Sequence, residues 1–300
     1  MRPVPVAAPS VSLPVEVTDP ADPRLADFRQ LTDADVRPDR RGVVIAEGVA
    51  VVERLLASRY QPRAVFGEVP RLDALADMLA DFPDLPVYSA NRWFLSDVVG
   101  FRLTRGVLAS ANRLPSPSLA DVLAGASRVA ILESLNDFEN LGSVFRNAAA
   151  FGVDAVLLDA RCADPLYRRS VRVSMGHVLH VPFAVMSDPW PVALETLRGS
   201  GFTLLALTPR ADAMPLASVA PPGRWAILLG AEGPGLTAAA RSAADACVRI
   251  PMAPGVDSLN VATAAAVAFA HLTADARITP RPVDSHARTV RMATPDHLGS

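Results

Sequence analysis

Six short apolar runs punctuate the second half of the chain: RVAILESL, DAVLLD (Asp154 to Asp159), VLHVPFAVM, FTLLALTP, WAILLGAE and CVRIPM. Their apolar residues are consecutive rather than alternating. A strand built from such a run has both faces covered, which is the pattern of a central parallel sheet between helices. Helices are predicted between the runs at Leu141 to Phe151, Trp190 to Gly199 and Leu236 to Ala244, with a last one opening at Asn260. No solenoid-type repeat is present.

The first half shows the same alternation on a smaller scale. VVIAEG, AVFGE (Ala64 to Glu68), PVYSA and RGVLASANR read as strands; VAVVERLLAS, LDALADMLADF and NRWFLSDVVG read as helices, which fits a small three-layer α/β domain. Ahead of it, residues 1–22 are rich in Pro, Val and Ala without period and are expected to be a disordered leader. DPRLADFRQLTDADVR then reads as a short helical hook. Arg37, Arg40 and Arg41 follow, as a solvated loop or as a contact for RNA phosphate. The expected division is 23–113 for the first domain, a Pro/Ser linker over 114–125, 126–277 for the second domain and an unpacked tail over 278–300.

At 300 residues the chain is longer than one typical domain, in keeping with that division. A net charge of −2 gives no global attraction to nucleic acid or an anionic membrane, but all 29 basic residues are arginine, and a guanidinium is a planar fork suited to phosphate. Cys162 and Cys247 lie far apart with no C-x-x-C and no nearby histidine cluster, so neither a zinc site nor a disulfide framework is expected, and a reducing cytoplasm fits. Prolines break the N-terminus where a signal peptide would need an apolar core. The Ala/Val segment after Asn260 falls short of the roughly 20 apolar residues of a membrane span, so a soluble protein is expected.

Three polar clusters fall at the carboxyl ends of predicted strands, where open α/β sheets bind ligands. In NDFENLGSVFRNAAAFG, Asn140 opens a helix and Arg146 follows six residues on, among Val144, Phe145 and Ala148 to Ala150. Asn140 reads as an N-cap or a site residue, and Arg146 as a surface charge or a packed one; an arginine buried in such a helix or at an interface needs an acceptor. In LLGAEGPGL, Gly230, Gly233 and Gly235 with Pro234 turn the chain tightly and allow close approach to the backbone. Neither G-x-G-x-x-G nor the G-K-[ST] of a P-loop is present, which disfavours a dinucleotide enzyme or NTPase. In RIPMAPGVDSLN the strand breaks at Pro251 and Pro254-Gly255 and offers Asp257, Ser258 and Asn260 before the Ala/Val helix. Polar residues crowded there bind or react with something, or form a loop with a Ser N-cap.

In order and internal spacing these clusters resemble the three motifs of the SpoU/TrmH family of RNA ribose 2′-O-methyltransferases, over roughly Ser127 to Ala274. EG-x₄-ERLLAS and RGVLA resemble the family's L30e-like substrate-binding domain. Asp137-Phe138 stands where many members have Pro-Gly, and Ala262 where Ser is common.

The resemblance implies a C-terminal SPOUT trefoil-knotted parallel-sheet domain behind an N-terminal L30e-like α/β domain. It implies S-adenosyl-L-methionine as cofactor, held by Leu207, Thr208, Gly230, Ile250 and Leu259, with Gly230 leaving room for the ligand. The family's catalytic residues map to Asn140, Arg146, Glu232, Ser258 and Asn260, with no metal. A homodimer is implied, its seam along the Asn260 helix and its geometry placing Arg146 near the partner's pocket. The substrate would be structured RNA, 23S rRNA ahead of tRNA, met by Arg102, Arg105, Arg168, Arg169 and Arg172. The rival reading is a catalytically silent RNA-binding protein that keeps the fold.

Overall fold

A computed structural model describes residues 13–32, 42–186 and 192–274. They divide into two compact units: residues up to 114 with 166–172, and residues 115–165 with 173 onward. The basic cluster Arg37, Arg40 and Arg41 and the tail over 278–300 lie outside the described residues.

The first unit holds β1 (Val15–Glu16), β2 (Val43–Glu47), α1 (Val49–Leu56), β3 (Pro62–Gly67), α2 (Val69–Asp73), α3 (Ala76–Leu79), β4 (Val87–Ser89), α4 (Arg92–Val99) and β5 (Val107–Asn112). The sheet runs β1-β4-β3-β5-β2. β5 is antiparallel to both β2 and β3, so those two strands share a direction without pairing to each other. Phe28, Phe66, Leu95, Val99 and Leu103 fill the core.

Three details depart from the sequence reading. Val15–Glu16 pairs parallel with β4 and Val17 is buried, so order begins inside the expected leader, whose first twelve residues lie outside the described ones. The hook is a 3-10 helix over Pro23–Phe28, started by the Asp22 side chain accepting from Arg24 N. The single helix expected over LDALADMLADF is two short ones, α2 and α3, because Leu75 leaves helical geometry at φ −102°, ψ 0° while burying its side chain.

The second unit contains α5 (Leu119–Leu123), β6 (Arg128–Glu133), α6 (Phe138–Ala150), β7 (Ala155–Leu158), β8 (Phe183–Val185), α8 (Val192–Gly199), β9 (Thr203–Leu207), β10 (Met214–Pro215), β11 (Trp225–Gly230), α9 (Ala238–Ala243), β12 (Ala246–Arg249) and α10 (Val261–Leu272); α7 (Arg168–Val173), between β7 and β8 in the chain, belongs to the first unit up to Arg172. Its sheet, in the order β10-β12-β9-β11-β6-β7-β8, is parallel at every pairing. The runs that form β6, β7 and β11 are buried almost throughout, as consecutive apolar residues require of a sheet covered on both faces. Of VLHVPFAVM only Phe183–Val185 is strand, since Pro182 has no N–H to contribute and a 3-10 turn precedes it. β10, a two-residue edge strand ending in proline, was not expected from the pattern. Among the described residues no helix is long and apolar enough to cross a membrane.

Arg168 overturns one expectation. Residues 166–172 belong to the first unit, where Arg168 Nη1 donates to Glu47 Oε2 at 2.6 Å and the guanidinium lies 4.2 Å over the Phe101 ring. With 5 % of its surface exposed it is not available to an RNA phosphate. Burial draws its pKa below the ordinary arginine value, against the pull of Glu47. Removing one partner strands the other charge, so Arg168→Ala is expected to cost about 3–5 kcal/mol in chemical denaturation. The paired replacement Glu47→Leu with Arg168→Met should cost much less, and equal losses would show that the charges are not coupled.

Candidate active site

The carboxyl ends of β12, β9 and β11, three neighbouring strands, open into a cleft of about 450 Å³. Leu207, Thr208, Gly230, Ile250 and Leu259 all line it, as do Glu232, Ser258 and Asn260. Its size lies in the range of small-molecule sites, and its walls combine apolar side chains with a few convergent polar groups.

Asn260 ties the site together. Its Oδ1 accepts from Ala262 N at 2.9 Å and Thr263 N at 3.2 Å, capping α10. Its Nδ2 donates to Asn140 Oδ1 at 2.7 Å and Glu232 Oε1 at 2.8 Å. The expected alternative of a Ser N-cap is therefore half right: the loop does cap the helix, but with Asn260, and the same amide bridges the other two motifs. Asn140 is not the N-cap of α6. Asp137 takes that role, accepting from Glu139 N and Asn140 N, and so frees the Asn140 amide for Asn260.

Arg146 does not join this network. Six residues at 100° apiece carry it about 240° round α6 from Asn140. It lies exposed while Val144, Phe145 and Ala148 are buried, so the expected buried arginine is not seen in one chain. Ser258 is exposed on the cleft wall. Arg102, Arg105 and Arg169 are exposed and Arg172 is half-buried.

Gly230 is needed for a reason other than ligand space. A Cβ there would fall inside the backbone of Gly235 and Leu236, with Gly235 O at 2.7 Å. The turn folds back on the strand end, Gly235 N donating to Ala231 O at 2.9 Å, with Gly233 and Gly235 at positive φ.

The sequence reading missed Glu133. Only 1 % exposed at the end of β6, it accepts from Thr237 N at 2.8 Å and Thr237 Oγ1 at 2.7 Å. Thr237 caps α9, so Glu133 anchors the far end of the turn that carries Glu232. The available signal was a carboxylate closing an otherwise apolar strand. Beside it, Asp159 resists burial through bonds from Ser134 N, Cys162 and Arg161, which hold its pKa below the usual value. Burial and the Asp159 charge push the Cys162 thiol up to about 12, which leaves it without nucleophilic thiolate at neutral pH. Among the described residues no group of His, Cys, Asp and Glu could hold a metal ion.

Residues 127–270 match the model of the SpoU rRNA Methylase family. A Mycobacterium bovis protein named as an uncharacterized tRNA/rRNA methyltransferase is 57% identical over 260 residues, 85% of this chain and 90% of that protein. The 23S rRNA (guanosine(2553)-2′-O)-methyltransferase of Bacillus subtilis is 31% identical over 150 residues, 50% of this chain and 59% of its own length. Among solved structures, an AdoMet-bound rRNA methyltransferase from Sinorhizobium meliloti shares the fold at TM-score 0.74 and 24% identity, covering 87% of this chain and 98% of that one. The fold is thus that of RNA methyltransferases with a parallel sheet. The chain belongs to the SpoU rRNA methylase family.

Gly230→Ala should destabilise the protein by about 1–3 kcal/mol in denaturant, because two backbone segments must move apart. Gly233→Ala has open space around its Cβ and faces only the strain of φ 82°, about 1 kcal/mol. A Gly230→Ala variant no less stable than wild type would refute the packing role.

Proposed function

We propose that this chain transfers a methyl group from S-adenosylmethionine to a ribose 2′-hydroxyl of structured RNA, 23S rRNA ahead of tRNA. The observation that carries the reading is the Asn140–Asn260–Glu232 network at the rim of the cleft, which joins all three motifs. The cleft fits the cofactor: apolar Leu207, Ile250 and Leu259 suit a purine and the methylenes of the methionyl chain, while Thr208 and the backbone around Gly230 offer polar partners. When bound, S-adenosylmethionine supplies an electrophilic methyl group. The 2′-O-methyl specificity of the Bacillus subtilis relative and the rRNA designation of the family support the substrate.

The protein's part is positioning and charge. Glu232 and Asn140 fix the Asn260 amide, and Ser258 offers a hydroxyl on the same wall for the ribose. Holding the acceptor oxygen in line with the methyl donor supplies much of the acceleration. The Arg146 guanidinium has five N–H donors and no acceptor lone pair, so it steers phosphate and stabilises developing alkoxide charge rather than taking a proton. Because it points away from its own Asn140, Arg146 serves the pocket of a second copy. Thr263, Val267 and Ala270 form an exposed, uncharged stripe along α10 that suits the seam of such a homodimer. A trefoil knot around the 230–260 loops and an L30e-like first domain that meets RNA through Arg102, Arg105, Arg169 and Arg172 complete the reading.

Incubation with labelled S-adenosylmethionine and unmodified total rRNA or tRNA, followed by mapping, should give 2′-O-methyl label in rRNA. Cofactor binding without label in either RNA would favour the silent RNA-binding reading. Asn260→Asp keeps the helix cap but sets a carboxylate against Glu232, so transfer should fall at least about tenfold while melting stays within about 1 kcal/mol of wild type. Arg146→Lys should also lose at least about tenfold, since an ammonium lacks the guanidinium fork. Near-normal turnover would remove Arg146 from the site.

A further inference from the structure

The first unit offers one indole to water. Trp93, the second residue of α4, is 83 % exposed, whereas Trp225 is buried. Among the described residues the Trp93 ring has no aromatic or cationic neighbour. An indole is a large apolar surface to leave in water, and exposed tryptophans concentrate in binding sites.

Its surroundings are cationic. Arg92 Nε donates to Glu68 Oε1 at 3.0 Å. Glu68 and Arg71 crowd Gly106, their Cδ and Cγ lying 3.2 and 3.1 Å from where its Cβ would be, and Arg105 lies against Gly48 in the same way at 3.4 Å. These groups gather where β2, β3 and β4 end and β5 begins. Arg71, Arg92 and Arg105 thus share this end of the sheet with Glu68, whose carboxylate pairs with Arg92. Asp97 lies one turn along the Trp93 face, so the basic side is the amino end of α4.

We infer that this surface binds unpaired RNA, with one base stacked on Trp93 and the neighbouring phosphates on Arg92, Arg71 and Arg105. Stacking surface plus flanking cations is the arrangement that holds single strands without reading their sequence. A protein partner would want a wider apolar patch; among the described residues of the first unit the other large exposed apolar side chains are Leu13, Val15 and Val69, none of them on α4 or aromatic. The inference rests on the RNA-substrate reading above and adds to it the place where the first unit grips the strand.

The test is binding of the full chain to a short fluorescein-labelled oligoadenylate RNA by anisotropy, with methyl transfer measured separately. Trp93→Ala should weaken binding about 5- to 150-fold, and Trp93→Phe should restore most of it. Wild-type indole emission should be quenched on binding, with cofactor affinity the same in all three proteins. Equal affinity in wild type and Trp93→Ala, no binding by wild type, or a change of oligomeric state in the alanine variant (the mark of a contact between copies) would each overturn the inference. RNA binding that depends on Trp93 without methyl transfer would uphold it and sink the enzymatic reading instead.

Discussion

A single side-chain amide governs how the cleft is put together. Asn260 has one oxygen and one nitrogen, and uses the oxygen on α10 and the nitrogen on Asn140 and Glu232. The three elements it joins come from distant parts of the chain: the start of α6, the turn after β11 and the start of α10. None of them is fixed by its own backbone bonds alone, since a helix start leaves N–H groups free and a glycine turn has little intrinsic stiffness. The amide supplies the missing restraint. It also couples stability to site geometry, because a substitution that removes the cap removes the bridge as well.

Glu133 performs the complementary task at the other end of the same turn. Burying a carboxylate in the middle of a parallel sheet is costly unless its lone pairs are satisfied, and Thr237 satisfies them with both its N–H and its hydroxyl. The turn from Ala231 to Leu236 is thus held by Asn260 through Glu232, by Glu133 through Thr237, and by the close packing of Gly235 on Gly230. A cleft built this way is largely formed before any ligand enters, and less ordering is lost on binding.

The second sheet was legible in the sequence because burial on both faces writes itself as uninterrupted apolar runs, and β6, β7, β9 and β11 fall within them. Marginal pieces were not legible: β10 has two residues and no pattern, and Pro182 shortens β8 from within an apolar run. Around the site, residue identity was easier to read than residue role. Gly230 announced close approach, but not that its own turn packs where a Cβ would stand. Asn140 looked like a cap and is not one, while Asn260 looked like a site residue and is also a cap. Arg168 is the sharper case. Arg168, Arg169 and Arg172 read alike as RNA contacts, and only the fold reveals that the first of them turns inward to meet Glu47, 121 positions away.

That inward turn bears on how an acidic chain can serve RNA. The formal charge of −2 counts every carboxylate equally. Yet Glu47, Glu133 and Asp159 are buried and bonded to Arg168, Thr237, Ser134 and Arg161. Exposed arginines such as Arg102, Arg105, Arg146 and Arg169 face water. With a screening length of about 8 Å at physiological salt, a phosphate responds to the guanidiniums within its reach and hardly to the total. Net charge therefore excludes strong long-range steering of RNA but leaves local recognition intact. Recognition of that kind relies on fork geometry and stacking more than on summed charge, which is the chemistry an all-arginine complement provides.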